Sequence, residues 1–285
     1  MATIIDGRKL AIEARERAAA EVAEPASRGI PCGLAVVLVG DDQGSATYVR
    51  AKLRDCELCG IPSHDYKLPA DTTQEELMDL IARLNADAGV AGILVQMPLP
   101  AHLDAEKVIA AISPDKDVDG FHPESLGCLV RGLPGLRPCT PAGIMAMLDE
   151  YGIELSGKNA VIVGRSSIVG KPMAFMLLER DATISVAHSR TRDIADVCRT
   201  ADVLVVACGI PKMVQGDWLK PGAVVIDVGM DRDENGKLCG DVDFDSAARV
   251  AGAITPVPGG VGPMTRAMLM SNIVQAARLQ LGRAL

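Results

Sequence analysis

Ala160-Val161-Ile162-Val163-Gly164-Arg165-Ser166-Ser167-Ile168-Val169-Gly170-Lys171-Pro172 is the stretch that decides the fold. Its first four residues form a short apolar run of strand character that breaks at Gly164. After a small polar turn, Gly170-Lys171-Pro172 opens a helical pattern through Met173, Ala174, Met176 and Leu177. A strand, a glycine turn and a helix start together suit phosphate, because the helix start offers N–H groups and a positive dipole end. The stretch departs from two stock motifs. Five residues separate Gly164 from Gly170, and Pro172 stands where a P-loop carries its hydroxyl. Ser166 stands where the G-x-G-x-x-G pattern needs its second glycine. Two readings stay open on this local pattern: a dinucleotide site, or an ordinary tight βα turn with a packing glycine.

Around this stretch, apolar strand-like runs alternate with helical patterns, the signature of an α/β chain. Earlier strands are expected near Leu34–Val39, His64–Leu68 and Ala91–Gln96. Helices are expected near Gly7–Val22, Ser45–Cys59, Gln74–Ala88 and Asp104–Ala111, the third of them capped by Thr72 and Glu75. Later strands are expected near 160–163, 183–187, 203–206, 224–228 and 252–254. Two proline-rich junctions flank this later series. In Pro138-Cys139-Thr140-Pro141, Thr140 suits a helix cap and Pro141 a first helical position. Thr255-Pro256-Val257-Pro258-Gly259-Gly260-Val261-Gly262-Pro263 is followed by an amphipathic pattern from about Thr265 to Leu281. The chain thus crosses between domains twice, and the last helix returns to the first domain.

Bulk properties narrow the partners. The 285 residues suggest about two domains, and 48% hydrophobic with 23% charged residues reads as globular. A net charge of −8 argues against nucleic acid or an anionic membrane, and 2% aromatics against a base-stacking platform. No segment reaches the length of a membrane span, and the N-terminus lacks the apolar centre of a signal peptide. Eight cysteines lie mostly in apolar surroundings, and the Cys56-Glu57-Leu58-Cys59 pair has no second pair at zinc spacing. They read as structural thiols of a reducing cytoplasm, with a redox or metal role as the alternative.

The expected strand Thr183–Ala187 ends at His188-Ser189-Arg190-Thr191, where an NAD site usually carries an acid. Ser189 and Arg190 suit a 2′-phosphate, and Arg165 is a second candidate, so the pattern favours NADP. A solvated strand end is the other reading. Tyr48 and Lys52 share a helix face. Such a pair is by itself an amphipathic edge, whereas in a half-buried cleft desolvation would tune the lysine for proton transfer. Gln96 follows a strand, at the end where α/β sheets bind ligands. Asp115-Lys116-Asp117-Val118-Asp119-Gly120 starts like an EF-hand, but Leu126 stands at the twelfth position, which excludes calcium. A carboxylate there suits paired N–H donors of a heterocycle.

Six motifs occur in order: Tyr48-x-x-x-Lys52, Val95-Gln96-x-Pro98-Leu99-Pro100, Asp115 to Phe121, Pro138 to Pro141, Gly164 to Pro172, and Thr255 to Pro263. Together they closely resemble the bifunctional methylenetetrahydrofolate dehydrogenase/methenyltetrahydrofolate cyclohydrolase family, over essentially the whole chain. Variations such as Met97 and Ser167 fall at x positions. The resemblance implies an α/β fold of two domains. The first is an N-terminal three-layer α/β catalytic and folate-binding domain over 1–139, completed by the C-terminal helix of 265–285. The second is a Rossmann-like NADP domain over 140–264. It implies two activities in one interdomain cleft: hydride transfer from 5,10-methylenetetrahydrofolate to NADP, then hydrolysis of the methenyl product to 10-formyltetrahydrofolate. It implies Lys52 in proton transfer, Tyr48 orienting substrate, Gln96 holding Lys52 and Asp119 binding the pterin. Pro258, Gly259 and Gly260 would line the folate side. Gly164, Arg165, Ser166, Ser189 and Met230 would contact NADP. It further implies a homodimer acting on tetrahydrofolate derivatives; on the residues the chain is expected in the cytoplasm, as the cysteines indicate, and with no metal. Two rivals are an NADP-dependent dehydrogenase of a small acid and a non-catalytic NADP sensor. Asp119 with the Pro258–Pro263 segment opposes the first, and Tyr48, Lys52 and Gln96 oppose the second.

Overall fold

The computed structural model describes residues 2–284. Met1 and Leu285, the end residues of the expected first domain, lie outside the described residues. The strands, in chain order, are β1 (Thr3–Ile4), β2 (Leu34–Val39), β3 (Ser63–Leu68), β4 (Gly92–Val95), β5 (Asn159–Val163) and β6 (Thr183–Ala187). They continue with β7 (Val203–Val206), β8 (Val224–Asp227), β9 (Asp231–Arg232), β10 (Leu238–Cys239) and β11 (Ala253–Ile254). The chain divides into two compact units. One joins the N-terminal residues through Ile12 to Thr140–Thr265; the other joins Glu13–Cys139 to the residues from Arg266 on.

The Glu13–Cys139 unit is built on a parallel sheet of order β3-β2-β4, with Leu34 opposite both Ser63 and Gly92. All six residues of β2, Leu-Ala-Val-Val-Leu-Val, are buried. A central parallel strand is covered on both faces and therefore reads as a continuous apolar run. Successive side chains alternate between faces, so β2 contributes to two cores. Leu34, Val36 and Leu38 pack with Cys56, Cys59, Ile61, Leu269 and Ile273. Ala35, Val37 and Val39 pack with Leu77, Ile81, Leu84 and Val108. Helices on both faces of one sheet make the three layers. β3 is the edge strand, and its sequence Ser-His-Asp-Tyr-Lys-Leu leaves three residues exposed.

The other unit carries a sheet of order β1-β11-β8-β7-β5-β6, parallel throughout. Strand β1 joins it by pairing Thr3 with Ala253 and Ile4 with Ile254. Two residues are too short a run to register as a strand in the sequence. Val161, Val163, Leu204, Val206, Val225 and Ile254 form its core with Val214, Leu219 and Val242.

Three local expectations shift. The helix Gln74–Ala86 is capped by Thr73 and Glu76 rather than Thr72 and Glu75. The Thr72 hydroxyl is drawn instead to the Pro69 carbonyl at 2.7 Å, which moves the box one residue on. The helix Cys139–Glu150 already includes Thr140, whose hydroxyl meets that of Thr265 at 3.0 Å rather than capping its own helix. The C-terminal helix runs Val261–Ala284, longer than its pattern suggested. From Met264 to Leu281 only Gln275 and Arg278 are fully exposed, so it is an enclosed helix rather than a one-faced surface helix.

Candidate active site

In the Glu13–Cys139 unit, the helix Gln43–Cys59 starts at Asp42, whose carboxylate accepts the Ser45 N–H at 2.6 Å, and stops at Gly60, whose φ of 69° is left-handed. Between these stops Tyr48 and Lys52 lie one turn apart. Lys52 is 8% exposed, rare for a lysine unless it is paired. Its Nζ donates to Gln96 Oε1 at 3.0 Å. Gln96 lies just past β4 and is held at both ends: its N–H donates to the Val37 carbonyl at 2.9 Å, and its Nε2 to the Met97 carbonyl at 2.7 Å. The Met97–Pro98 peptide is cis.

Tyr48 is half-buried. Burial pushes its phenol up and nearby Arg266 opposes, so the hydroxyl stays protonated at neutral pH and can donate. Arg266 in turn pairs with buried Asp55 at 3.4 Å, which also meets Arg15 at 3.5 Å.

Asp119 lies in the same unit, within electrostatic reach of Lys52. Part of its surface is accessible, yet surrounding protein pushes its carboxyl up, with Asp117 adding to the effect and Lys52 opposing it. Asp117 and Lys116 of this segment have structural work. Asp117 accepts the N–H groups of Phe121 and His122 at 3.1 and 2.8 Å and the Ser125 hydroxyl at 3.0 Å. Lys116 donates to the carbonyls of Leu84 and Asp87 at 3.1 and 2.7 Å. Asp119, like Asp115, keeps part of its surface accessible. Asn272 pins the backbone just before it and joins it to a second segment, donating to the carbonyls of Val118 and Arg137 at 2.9 and 2.8 Å. Sequence reasoning did not single out Asn272; an amide in an otherwise apolar helix segment was the available signal.

The second set of expected residues lies in the other unit. Gly164 follows β5 with φ 124°, and a Cβ there would collide with the Ala207 carbonyl. The helix Gly170–Leu178 starts against the Gly164 carbonyl. The first N–H groups are not left free: the Ser166 hydroxyl accepts those of Val169 and Gly170 at 3.2 and 3.3 Å, and the Ser166 carbonyl accepts that of Lys171 at 3.0 Å. Arg165 and Ser166 are both exposed at this turn. Past β6, the His188 N–H donates to Thr191 Oγ1 at 2.9 Å and the Arg190 N–H to His188 Nδ1 at 3.1 Å. This tight turn leaves Ser189 and Arg190 exposed. Met230, just past β8, is 45% exposed. Its sulfur lies 3.9 Å from the point a Cβ on Gly262 would occupy. Pro258 is exposed, whereas Gly259 and Gly260 are buried. Val261 to Pro263, expected in the same loop, form the first turn of the C-terminal helix.

Two buried acids escaped the sequence reading. Asp227 and Asp241 are 3% and 0% exposed. Burial raises the Asp227 carboxyl to about 7, against three backbone N–H groups that favour its charged form. Burial pushes the Cys56 and Cys208 thiols up to about 12, so the thiolate that redox or metal chemistry requires is suppressed. Among the described residues, no group of three or more His, Cys, Asp or Glu side chains is placed to hold a metal ion. No helix of the described residues is long and apolar enough to cross a membrane.

A two-unit α/β chain with a buried lysine–glutamine pair in one unit and a strand, glycine turn and helix start in the other has the layout of a nucleotide-dependent enzyme. Residues 5–119 match the tetrahydrofolate dehydrogenase/cyclohydrolase catalytic domain, and residues 138–281 match the NAD(P)-binding domain of the same family. The bifunctional protein FolD of Anaeromyxobacter dehalogenans is 59% identical over 276 residues, covering 96% of this chain and 98% of the relative. The crystal structure of the FolD dehydrogenase/cyclohydrolase of Campylobacter jejuni has a TM-score of 0.95 at 48% identity, covering 98% of this chain and 100% of that one. That of Trypanosoma brucei, complexed with NADP cofactor and inhibitor, has a TM-score of 0.93 at 40% identity, covering 98% of both chains. The chain belongs to the tetrahydrofolate dehydrogenase/cyclohydrolase family, and with it to the bifunctional methylenetetrahydrofolate dehydrogenases and methenyltetrahydrofolate cyclohydrolases.

Proposed function

We propose that this chain oxidises 5,10-methylenetetrahydrofolate to the methenyl cation with NADP and then hydrolyses that cation to 10-formyltetrahydrofolate. The observation that carries the reading is the buried Lys52 ammonium held on Gln96 at 3.0 Å. When bound, NADP supplies the acceptor for the hydride. The residues present fit it: Gly164 lets the turn pass close against the Ala207 carbonyl, and Arg165, Ser166, Ser189 and Arg190 expose a cationic, hydroxyl-rich edge without an acid. Arg165 and Arg190 suit a 2′-phosphate, and Met230 the nicotinamide side.

Hydride transfer asks this chain for orientation, and Tyr48 as donor and Asp119 as acceptor provide it. Ionised Asp119 takes the aminopyrimidine edge of the pterin through charge-assisted hydrogen bonds. Hydrolysis asks for proton movement. Water adds to the methenyl carbon and gives up one proton, leaving a neutral carbinol; the carbinol hydroxyl then loses its proton as the formyl C=O forms, one carbon–nitrogen bond breaks, and the leaving nitrogen takes a proton, so one proton is released overall. Lys52 Nζ moves these protons, Gln96 fixes its position and Tyr48 orients the substrate. Pro258, Gly259 and Gly260 line the folate side. In this division of labour 1–139 with 265–285 serves folate and 140–264 serves NADP. The protein works in the cytoplasm as a homodimer. The test follows absorbance with methylenetetrahydrofolate and each nicotinamide dinucleotide in turn, then with methenyl substrate alone. Reduction of NADP and accelerated methenyl decay are expected; neither occurring overturns the reading.

A further inference from the structure

In the six-stranded sheet β5 lies between β6 and β7, so the strand order reverses at β5. Ligands of such sheets sit outside the carboxyl ends at that reversal. The crevice there has two lips. Gly164 to Gly170, past β5, is the first, and it is braced by its own Ser166. Ala207 to Ile210, past β7, is the second, and it has no regular structure to brace it. Gly209 adopts a φ of 67°, and the N–H groups around it have left the strand ladder.

Those N–H groups converge on one remote carboxylate. Cys208 and Gly209 donate to Asp241 Oδ2 at 2.7 and 3.2 Å, and Ile210 donates to Oδ1 at 2.8 Å. Asp241 is itself fixed. Its N–H donates to Asp227 Oδ1 at 2.9 Å, and the next N–H, of Val242, to Asp227 Oδ2 at 3.0 Å. Asp227 Oδ1 also accepts the Gly229 N–H at 3.0 Å. A Cβ on Gly229 would press on the Asp241 carboxyl carbon, so the backbone just before Met230 passes directly over this acid. The Asp231 carboxyl, on the far side of Met230, is pushed up by burial and by the neighbouring Asp241. One buried acid therefore joins the lip past β7 to the segment that carries Met230.

We propose that Asp241 is a positioning residue for the dinucleotide: its carboxylate holds Cys208–Ile210 and the Met230 segment in the arrangement that receives the nicotinamide nucleotide, without touching it. The inference rests on the NADP reading above. Only a carboxylate presents acceptors on both oxygens to three N–H donors. An amide offers one acceptor and turns two N–H groups toward the rest, which pushes the lip open.

The test compares the full chain with its Asp241→Asn variant. We expect the KM for NADP to rise about 10-fold or more, equivalent to about 1.4 kcal/mol, while methenyl hydrolysis without nucleotide stays within about twofold. An unchanged KM for NADP, or equal losses in both activities, overturns the proposal, because a merely structural role would move both together. Backbone amide exchange in the unaltered protein is a second test, independent of whether the variant folds. Amides 208–210 should be protected before NADP is added; fast exchange until NADP arrives contradicts a preformed lip. If NADP does not bind the unaltered protein at all, the functional reading fails, and the exchange measurement still reports on the clamp.

Discussion

Replacing Gln96 by Ala removes the acceptor that Lys52 Nζ meets at 3.0 Å. The lysine cannot recover the bond from bulk water easily, because it is 8% exposed. The glutamine is not an adaptable partner either, since its Nε2 is committed to the Met97 carbonyl and its backbone N–H to Val37. A hydrogen bond to a charged group contributes about 1.5–3 kcal/mol. At about 1.4 kcal/mol per decade, its loss corresponds to roughly 10- to 150-fold. If the bond aims Lys52 at the proton in flight, that factor falls on kcat of methenyl hydrolysis. Gln96 and the NADP-side residues belong to different units, so the dissociation constant for NADP should not change. Stopped-flow decay of methenyl absorbance over a range of substrate concentrations separates kcat from KM. A parallel nucleotide titration and a thermal melt report on folding. A variant that hydrolyses methenyl substrate within about twofold of the unaltered rate would show that Gln96 does not position Lys52.

Three further outcomes are expected. Arg165→Ala should raise the KM for NADP by roughly 10- to 100-fold, the worth of a charge-assisted phosphate contact. It should leave the KM for NAD nearly unchanged; equal movement of both would make Arg165 structural. Asp119→Asn should raise the KM for the folate substrate and flatten its pH dependence. Burial raises the Asp119 carboxyl, so in the unaltered protein the charged form, and substrate binding with it, is lost as pH falls; an identical pH profile in the variant refutes the role. Asp227 holds its proton up to about 7, against a usual 3.8. Between those values the folded chain binds more protons than the unfolded one, so this residue makes stability fall as pH rises from about 4 to about 7. At about 1.36 kcal/mol per pH unit the full effect is at most about 4 kcal/mol. Urea midpoints measured across that window should slope less in Asp227→Asn, and equal slopes would count against a proton on Asp227.

The parts of this molecule legible in its sequence are those that local pattern determines. The run Leu34–Val39 reads as a strand because all six residues are apolar, and Ala160–Gly164 reads as a strand and turn because glycine breaks the run. Lys52 and Gln96 were visible as candidates, but their 3.0 Å bond joins residues 44 apart and depends on two elements meeting. Caps were misplaced by a residue where two adjacent threonines competed, since Thr72 and Thr73 differ only in which neighbour each hydroxyl finds. Strand β1 exists only through its partner β11. The Asp227–Asp241 pair and Asn272 were not singled out for a related reason. An aspartate in Val-Val-Ile-Asp, or an asparagine in an apolar helix, has no motif; its purpose lies in backbone groups as far as 154 residues away.

The central claim is that Lys52 moves the protons of hydrolysis while a separate set of residues holds the oxidant. The most direct measurement is methenyl hydrolysis by Lys52→Ala in the absence of nucleotide, set beside NADP binding by the same preparation. Loss of general acid–base catalysis predicts a fall in hydrolysis of about 100- to 10,000-fold, with the NADP dissociation constant unchanged. Full retention of methenyl hydrolysis in that variant would contradict the account.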